Sequence, residues 1–321
     1  MAALFAATTR RLLKMSTTTT APAAAAAAAA RNVAAASAST DAAAAATGSS
    51  SVAASVRAVR ERAAAAAQRA GRDPSRVRVV AVSKTKPVEA LREAYELGGQ
   101  RDFGENYVQE LLEKAPLLPQ ADIRWRFIGH LQSNKARALV EGCWPRLAAV
   151  ETVDGTKLAD RLEAAVAGVV SVGGGKGGGG AGAAAASGGE AATAAGAAAQ
   201  PPRRLDVFVQ VNTSGEESKH GVEPGEPCVA LARHVAERCP HLRLAGLMTI
   251  GQPDYSSRPE NFARLAECRA AVAAALGLGP PEDALELSMG MSGDFEQAVE
   301  MGSTNVRVGS TIFGARDYST K

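Results

Sequence analysis

The sequence predicts an α/β protein, a single (β/α)8 TIM barrel preceded by an extra N-terminal helix. Three observations lead there. From Arg76 onward, short β-branched runs alternate with segments of helical period. The alternation repeats eight times, which favours a closed barrel over a doubly wound sheet. Polar residues gather where each apolar run ends, the rim on which barrels carry their sites.

The elements follow in order. "SVAASVRAVRERAAAAAQRAG" over 51–70 reads as the extra helix. "RVRVVAVSK" carries the apolar run Val77 to Val82, short enough for a strand buried on both faces. Pro87 suits the first turn of a helix over 87–98 and biases Lys86 toward extended backbone. Lys84 therefore sits where strand becomes loop. "RDFGEN" leads to a helix near 105–115, "RWRFIGH" to "SNKARALVEG", and "LAAVETVD" to "GTKLADRLEAAVAG". "LDVFVQVN" precedes a helix near 223–238, "LRLAGLMT" one near 259–276, and "ALELSMG" the segment "GDFEQAVEMG". "NVRVGSTIFG" closes the series. About 210 residues remain for the barrel, near the short end for this fold.

Two stretches fall outside the pattern, leaving a domain over 50–321 interrupted once. Residues 1–49 are mostly Ala, Ser and Thr; Arg10, Arg11, Lys14 and Arg31 are basic, and Asp41 is the first acid. A disordered segment of this composition reads as a mitochondrial or plastid transit peptide, with a low-complexity tail as the bland reading. Met15 offers an alternative start, and a cytoplasmic form is the alternative location. Residues 170–203 hold mostly Gly and Ala without aromatic or large aliphatic side chains to offset chain ordering, and read as a flexible surface insertion. Their glycines form neither GxxxxGK[ST] nor a helix-opening GxGxxG.

The net charge of +3 points to neither nucleic acid nor a membrane surface. No apolar run reaches the roughly 20 residues of a transmembrane helix. Cys143, Cys228, Cys239 and Cys268 lack CxxC spacing and read as idle thiols.

The strand-end groups are Lys84, Glu105, Asn106, His130, Asp154, Asn212, Thr249, Ser288, Ser292, Gly309 and Ser310. A lysine at the end of a buried strand suits Schiff-base chemistry, because desolvation frees its amine; a plain loop lysine is the alternative. Lys84 shares parity with Val80 and Val82, whereas its competitor Lys86 lies past the strand. Ser292-Gly293-Asp294 opens a helix and Gly309-Ser310 follows the eighth strand, the corner where barrels bind phosphate. An amine opposite a phosphate cradle fits pyridoxal 5′-phosphate (PLP). Glu105 reads as a helix cap, His220, His234 and His241 as surface residues without partners, and Trp125, Phe127 and Phe313 as core.

"VAVSKTKP", "FGENYVQE", "FIGHLQSNK", "GLMTIG", "SMGMSGDFEQAVEMGST" and "VRVGSTIFGARDYS" together resemble the pyridoxal phosphate homeostasis family, small barrels similar to the N-terminal domain of alanine racemase. The resemblance spans 79–319. It implies that Lys84 carries PLP as a Schiff base, that Ser292, Gly309 and Ser310 hold the phosphate, and that Arg307 faces the pyridine nitrogen. Asn106 and His130 would line the ring pocket, with His130 packing against the cofactor rather than acting as a base. An arginine partner leaves the ring nitrogen unprotonated and the ring a poor electron sink.

The expected function is therefore a non-catalytic holder of PLP for intracellular vitamin B6 homeostasis. It would buffer the cofactor or deliver it to PLP-dependent apoenzymes, working as a monomer. A PLP-dependent amino-acid racemase is the alternative. It would need a base on each face of the ring, whereas this chain stops three residues after Tyr318 and no β-rich second domain is expected. A cofactor-free Schiff-base aldolase is a third reading, since the phosphate corner also suits a phosphorylated sugar.

Overall fold

A computed structural model describes residues 51–173, 203–216, 220–251 and 259–315. Eight parallel strands close in sequence order: β1 (Arg78–Val82), β2 (Asp102–Glu105), β3 (Arg124–Phe127), β4 (Leu147–Val153), β5 (Leu205–Gln210), β6 (Leu242–Met248), β7 (Glu286–Met291) and β8 (Asn305–Val308). The last strand pairs with the first, setting Arg307 opposite Val80.

The helices are α1 (Val52–Arg69), α2 (Val88–Glu96), α3 (Val108–Leu117), α4 (Ala136–Cys143), α5 (Thr156–Gly173), α6 (Glu226–Arg238), α7 (Pro259–Ala275), α8 (Pro281–Ala284), α9 (Phe295–Glu300) and α10 (Ser310–Phe313). The extra helix α1 starts at Ser51, whose hydroxyl accepts the Ala54 N–H, an N-cap. Its apolar stripe, Val56, Val59, Ala63, Ala66 and Ala67, is buried in the main core. Arg62–Glu296 (2.9 Å) and Arg69–Glu300 (2.8 Å) pair it with α9.

Apolar side chains fill the layer between strands and helices, among them Trp125, Phe103, Phe127, Leu139 and Phe295, all fully buried. A small apolar group of Ala149, Phe208, Ala245 and Met248 stands apart from it. The barrel also holds a polar chain. Arg126 Nε donates to Glu151 (2.5 Å), the Ser288 hydroxyl donates to Glu151 (2.5 Å), and Arg307 donates to Ser288 Oγ (2.7 Å) and the Thr249 carbonyl (2.7 Å). Burial acts to lower the Arg126 pKa, but Glu151 and Asp102 outweigh it and hold the guanidinium above its ordinary value.

Several boundaries differ from the sequence reading, each for a local reason. The helix expected near 105 starts at Val108, because Glu105 is the buried end of β2. The helix expected near 223 starts at Glu226, after Gly225 takes a positive φ of 89°. The insertion expected from 170 begins later, since α5 runs to Gly173; residues 174–202 lie outside the described residues, as do 1–50. The turn of helix α8 went unanticipated, although Pro280-Pro281 followed by two acids is a helix start. The four cysteines are buried and free. Among the described residues, no helix is long and apolar enough to cross a membrane.

Candidate functional site

A cavity of about 400 Å³ opens at the carboxyl ends of the strands. Val82, Ile128, Met248, Ile250 and Met291 supply its apolar wall; Lys84, Asn106, Ser292, Arg307, Gly309 and Ser310 line it with polar groups. Six of the seven residues expected to bind the cofactor are thus brought together. The seventh, His130, is not in this lining: its exposed ring stacks on His220, with centroids 3.6 Å apart, and faces Asp154.

The backbone around Lys84 is held from both sides. Thr85 takes φ 61°, a left-handed conformation that costs a β-branched residue on the order of 1–3 kcal/mol. Its N–H donates to Glu110 Oε1 (2.6 Å). Lys114, buried on α3, donates to the Ser83 carbonyl (2.7 Å), to Glu105 (2.8 Å) and to Glu110 (2.5 Å). The Ser83 hydroxyl donates to Glu105 (2.6 Å). Both peptide neighbours of Lys84 are therefore clamped by one ionic network. Glu105 does not cap a helix: Tyr107 occupies that position, without a side-chain cap bond. Burial raises the Glu105 carboxyl above the usual carboxylate range, against the pull of Lys114 and Ser83.

On the opposite wall, Ser292 Oγ accepts the Gly309 N–H (3.2 Å), tying the loop after β7 to the loop after β8. A Cβ at Gly309 would lie 3.3 Å from Val82 Cβ, so glycine keeps this backbone close against β1. Asp294 Oδ1 accepts the Met291 N–H (2.6 Å) and shapes the Ser292 turn. Arg307 is buried; desolvation lowers its pKa, and Glu151 and Asp294 oppose that shift. Lys86 also reaches the cavity, its Nζ donating to the Ala315 carbonyl (2.7 Å). Asn106 Oδ1 is buried without a protein partner. Such an orphan acceptor beside an amine, an arginine and two hydroxyls fits a polar ligand, and the residues present suit PLP.

Sequence reasoning missed Glu110 and Lys114. Their i,i+4 spacing was visible, but it normally marks an exposed pair. It also missed the partners of the other histidines: His234 Nε2 lies 2.6 Å from Asp160, and His241 Nδ1 lies 2.5 Å from Glu163. A second cavity, about 790 Å³, opens at the amino ends of the strands. Many of its charges are paired, as in Arg78–Glu286 (2.6 Å) and Arg124–Asp102 (2.6 Å), which reads as a stabilising face.

The closed barrel is similar in fold to the alanine racemase N-terminal-domain class: the family described as "Alanine racemase, N-terminal domain" matches residues 184–317. The chain is 45% identical over 278 residues to the human pyridoxal phosphate homeostasis protein, covering 83% of this chain and 87% of that one. It is 42% identical over 261 residues to the Vibrio cholerae protein of the same name, covering 79% and 92%. PipY of Synechococcus elongatus, solved with PLP bound, superposes with a TM-score of 0.55 at 31% identity, over 80% of this chain and 100% of that one. The chain belongs to the pyridoxal phosphate homeostasis protein family.

Proposed function

We propose that the protein binds PLP in the cavity at the carboxyl end of the barrel and serves vitamin B6 homeostasis, holding the cofactor and releasing it rather than turning over a substrate. The observation that carries this is the convergence of Lys84 with Arg307, Asn106, Ser292, Gly309 and Ser310 around one cavity. PLP supplies an aldehyde that condenses with an amine, and Lys84 Nζ is the amine assigned to it. Ser292 and Ser310 offer hydroxyls, and the loop backbone at Gly309 its close approach, for the phosphate. Arg307 would face the ring nitrogen: a guanidinium donates a hydrogen bond there and does not give up its proton, which disfavours the electron-sink chemistry of racemases and transaminases. The apolar wall excludes water from the linkage.

Delivery to PLP-dependent apoenzymes, a monomeric state and import into mitochondrion or plastid are part of the same proposal. The composition of residues 1–49 supports the last, and a reporter fused to those residues that stayed in the cytoplasm would refute it. The carrier reading is tested by following Cα proton exchange of alanine and serine in deuterated water, together with transfer of PLP to an apoenzyme. Transfer without exchange is expected. Exchange near 1 s⁻¹, about the low end for enzymes, that vanishes in Lys84→Ala would make the protein an enzyme.

A further inference from the structure

His130 carries the question. Its motif lies at the end of β3, yet the structure sets it beside Asp154, after β4, and His220, in the segment between β5 and α6. One ligating atom from each of the three lies within 4.8 Å of the others. We propose that His130, Asp154 and His220 form a binding site for a divalent transition cation of the zinc class on the barrel rim, outside the PLP cavity.

The distances support coordination over simple pairing. Tetrahedral zinc with ligands at about 2.0–2.1 Å separates those ligands by about 3.3 Å. His130 Nδ1 and Asp154 Oδ2 stand 3.4 Å apart, at that ligand–ligand edge and long for an N–H···O hydrogen bond. The imidazoles stack with their planes 10° apart, and both rings are exposed enough to turn the short distance that closes the set. Their backbones are anchored. The Thr152 hydroxyl donates to the Gly129 carbonyl (2.6 Å), and a Cβ at Gly129 would lie 2.0 Å from the Asn106 carbonyl oxygen. Gln210 Nε2 donates to the His220 carbonyl (2.8 Å), and the Val222 N–H donates back to the Gln210 carbonyl (2.9 Å). Anchored backbones with adjustable rings are what a metal site requires.

Two imidazoles and one carboxylate select zinc, cobalt, nickel or copper over magnesium or calcium. Three protein ligands leave a fourth position open to solvent for water or an exogenous ligand. A second cluster, Asp160, His234 and Cys239, is the natural control. There His234 is already hydrogen-bonded to Asp160, and burial pushes the Cys239 thiol up to about 11, which opposes the thiolate a metal needs.

The test is calorimetric titration of the full-length, PLP-loaded protein with Zn²⁺ and separately with Mg²⁺, supported by the visible bands of bound Co²⁺. One Zn²⁺ per chain is expected, with Mg²⁺ far weaker. His220→Ala and Asp154→Asn should each weaken Zn²⁺ by at least about tenfold, the smallest loss that removing even an outer-shell partner produces. Both variants should melt within a few degrees of wild type, since they change exposed or half-buried groups. His234→Ala should leave binding unchanged, and so should Lys84→Ala, which removes any chelate through PLP and keeps this site independent of the cofactor reading. Failure to bind Zn²⁺, binding unaltered by His220→Ala and Asp154→Asn, or binding lost in His234→Ala or Lys84→Ala would overturn the proposal.

Discussion

Lys84 and Lys86 are two residues apart and both line the cavity, but they differ in what holds them. The peptide units flanking Lys84 are fixed by Glu110 and Lys114, whereas Lys86 ends on the Ala315 carbonyl. The phosphate side rests on single hydroxyls. Ser292→Ala combined with Ser310→Ala should weaken PLP retention by about one to two decades for each lost bond to a charged group, about 1.5–3 kcal/mol each. Equilibrium dialysis of the double variant checks this; retention equal to wild type would place the phosphate elsewhere. Glu105 gives a pH signature. Its folded pKa is raised from 4.5, so the folded state holds the proton more tightly than the unfolded chain. Its contribution to stability therefore falls as pH rises through 4.5 toward the folded value. The melting temperature of Glu105→Gln minus that of wild type should increase over that window. A flat difference would mean that Lys114 fully compensates the buried carboxylate.

At the scale of elements, α3 does more than cover the barrel. It carries the acid and the amine that lock the loop after β1, and it places them one helical turn apart. Lys114→Met paired with Glu105→Gln removes the Lys114 half of the clamp without leaving a fully buried charge alone, since Glu110 is only half-buried and still accepts the Thr85 N–H. The double variant should still fold, yet it should trap reduced PLP on both Lys84 and Lys86, where wild type traps it on one. Trapping confined to Lys84 would show that the network supports the fold only. Strand identity and order were legible in the sequence because buried parallel strands are short, apolar and β-branched, as in Val77 to Val82. Helix starts were less legible. The start of α3 hung on whether Glu105 faced solvent as a cap or the interior as an ion-pair partner, and that choice is made by Lys114 across nine residues of chain.

The whole molecule separates stability from function along the barrel axis. Paired charges close the amino end, and the cavity occupies the carboxyl end. Between them the chain Arg126–Glu151–Ser288–Arg307 carries charge through the interior. Breaking it at Glu151→Ala would leave two buried guanidiniums with only Asp102 and Asp294 to offset them, and a loss of about 3–5 kcal/mol is expected from urea unfolding; a loss under about 1 kcal/mol would mean that Asp102 and Asp294 suffice. The cofactor cavity was legible in the motifs because strand-end positions project onto one rim whatever the details of packing. His130 escaped because its motif fixes the backbone at Gly129 but not the direction of the ring, which His220 decides from ninety residues away. The attachment of PLP to Lys84 is measured most directly by the visible absorption of the purified protein, followed by borohydride reduction and peptide mapping. The protein is expected to be yellow, to bleach on reduction and to carry one phosphopyridoxyl group on Lys84. An adduct on Lys86 alone, or none on any lysine, would contradict that attachment.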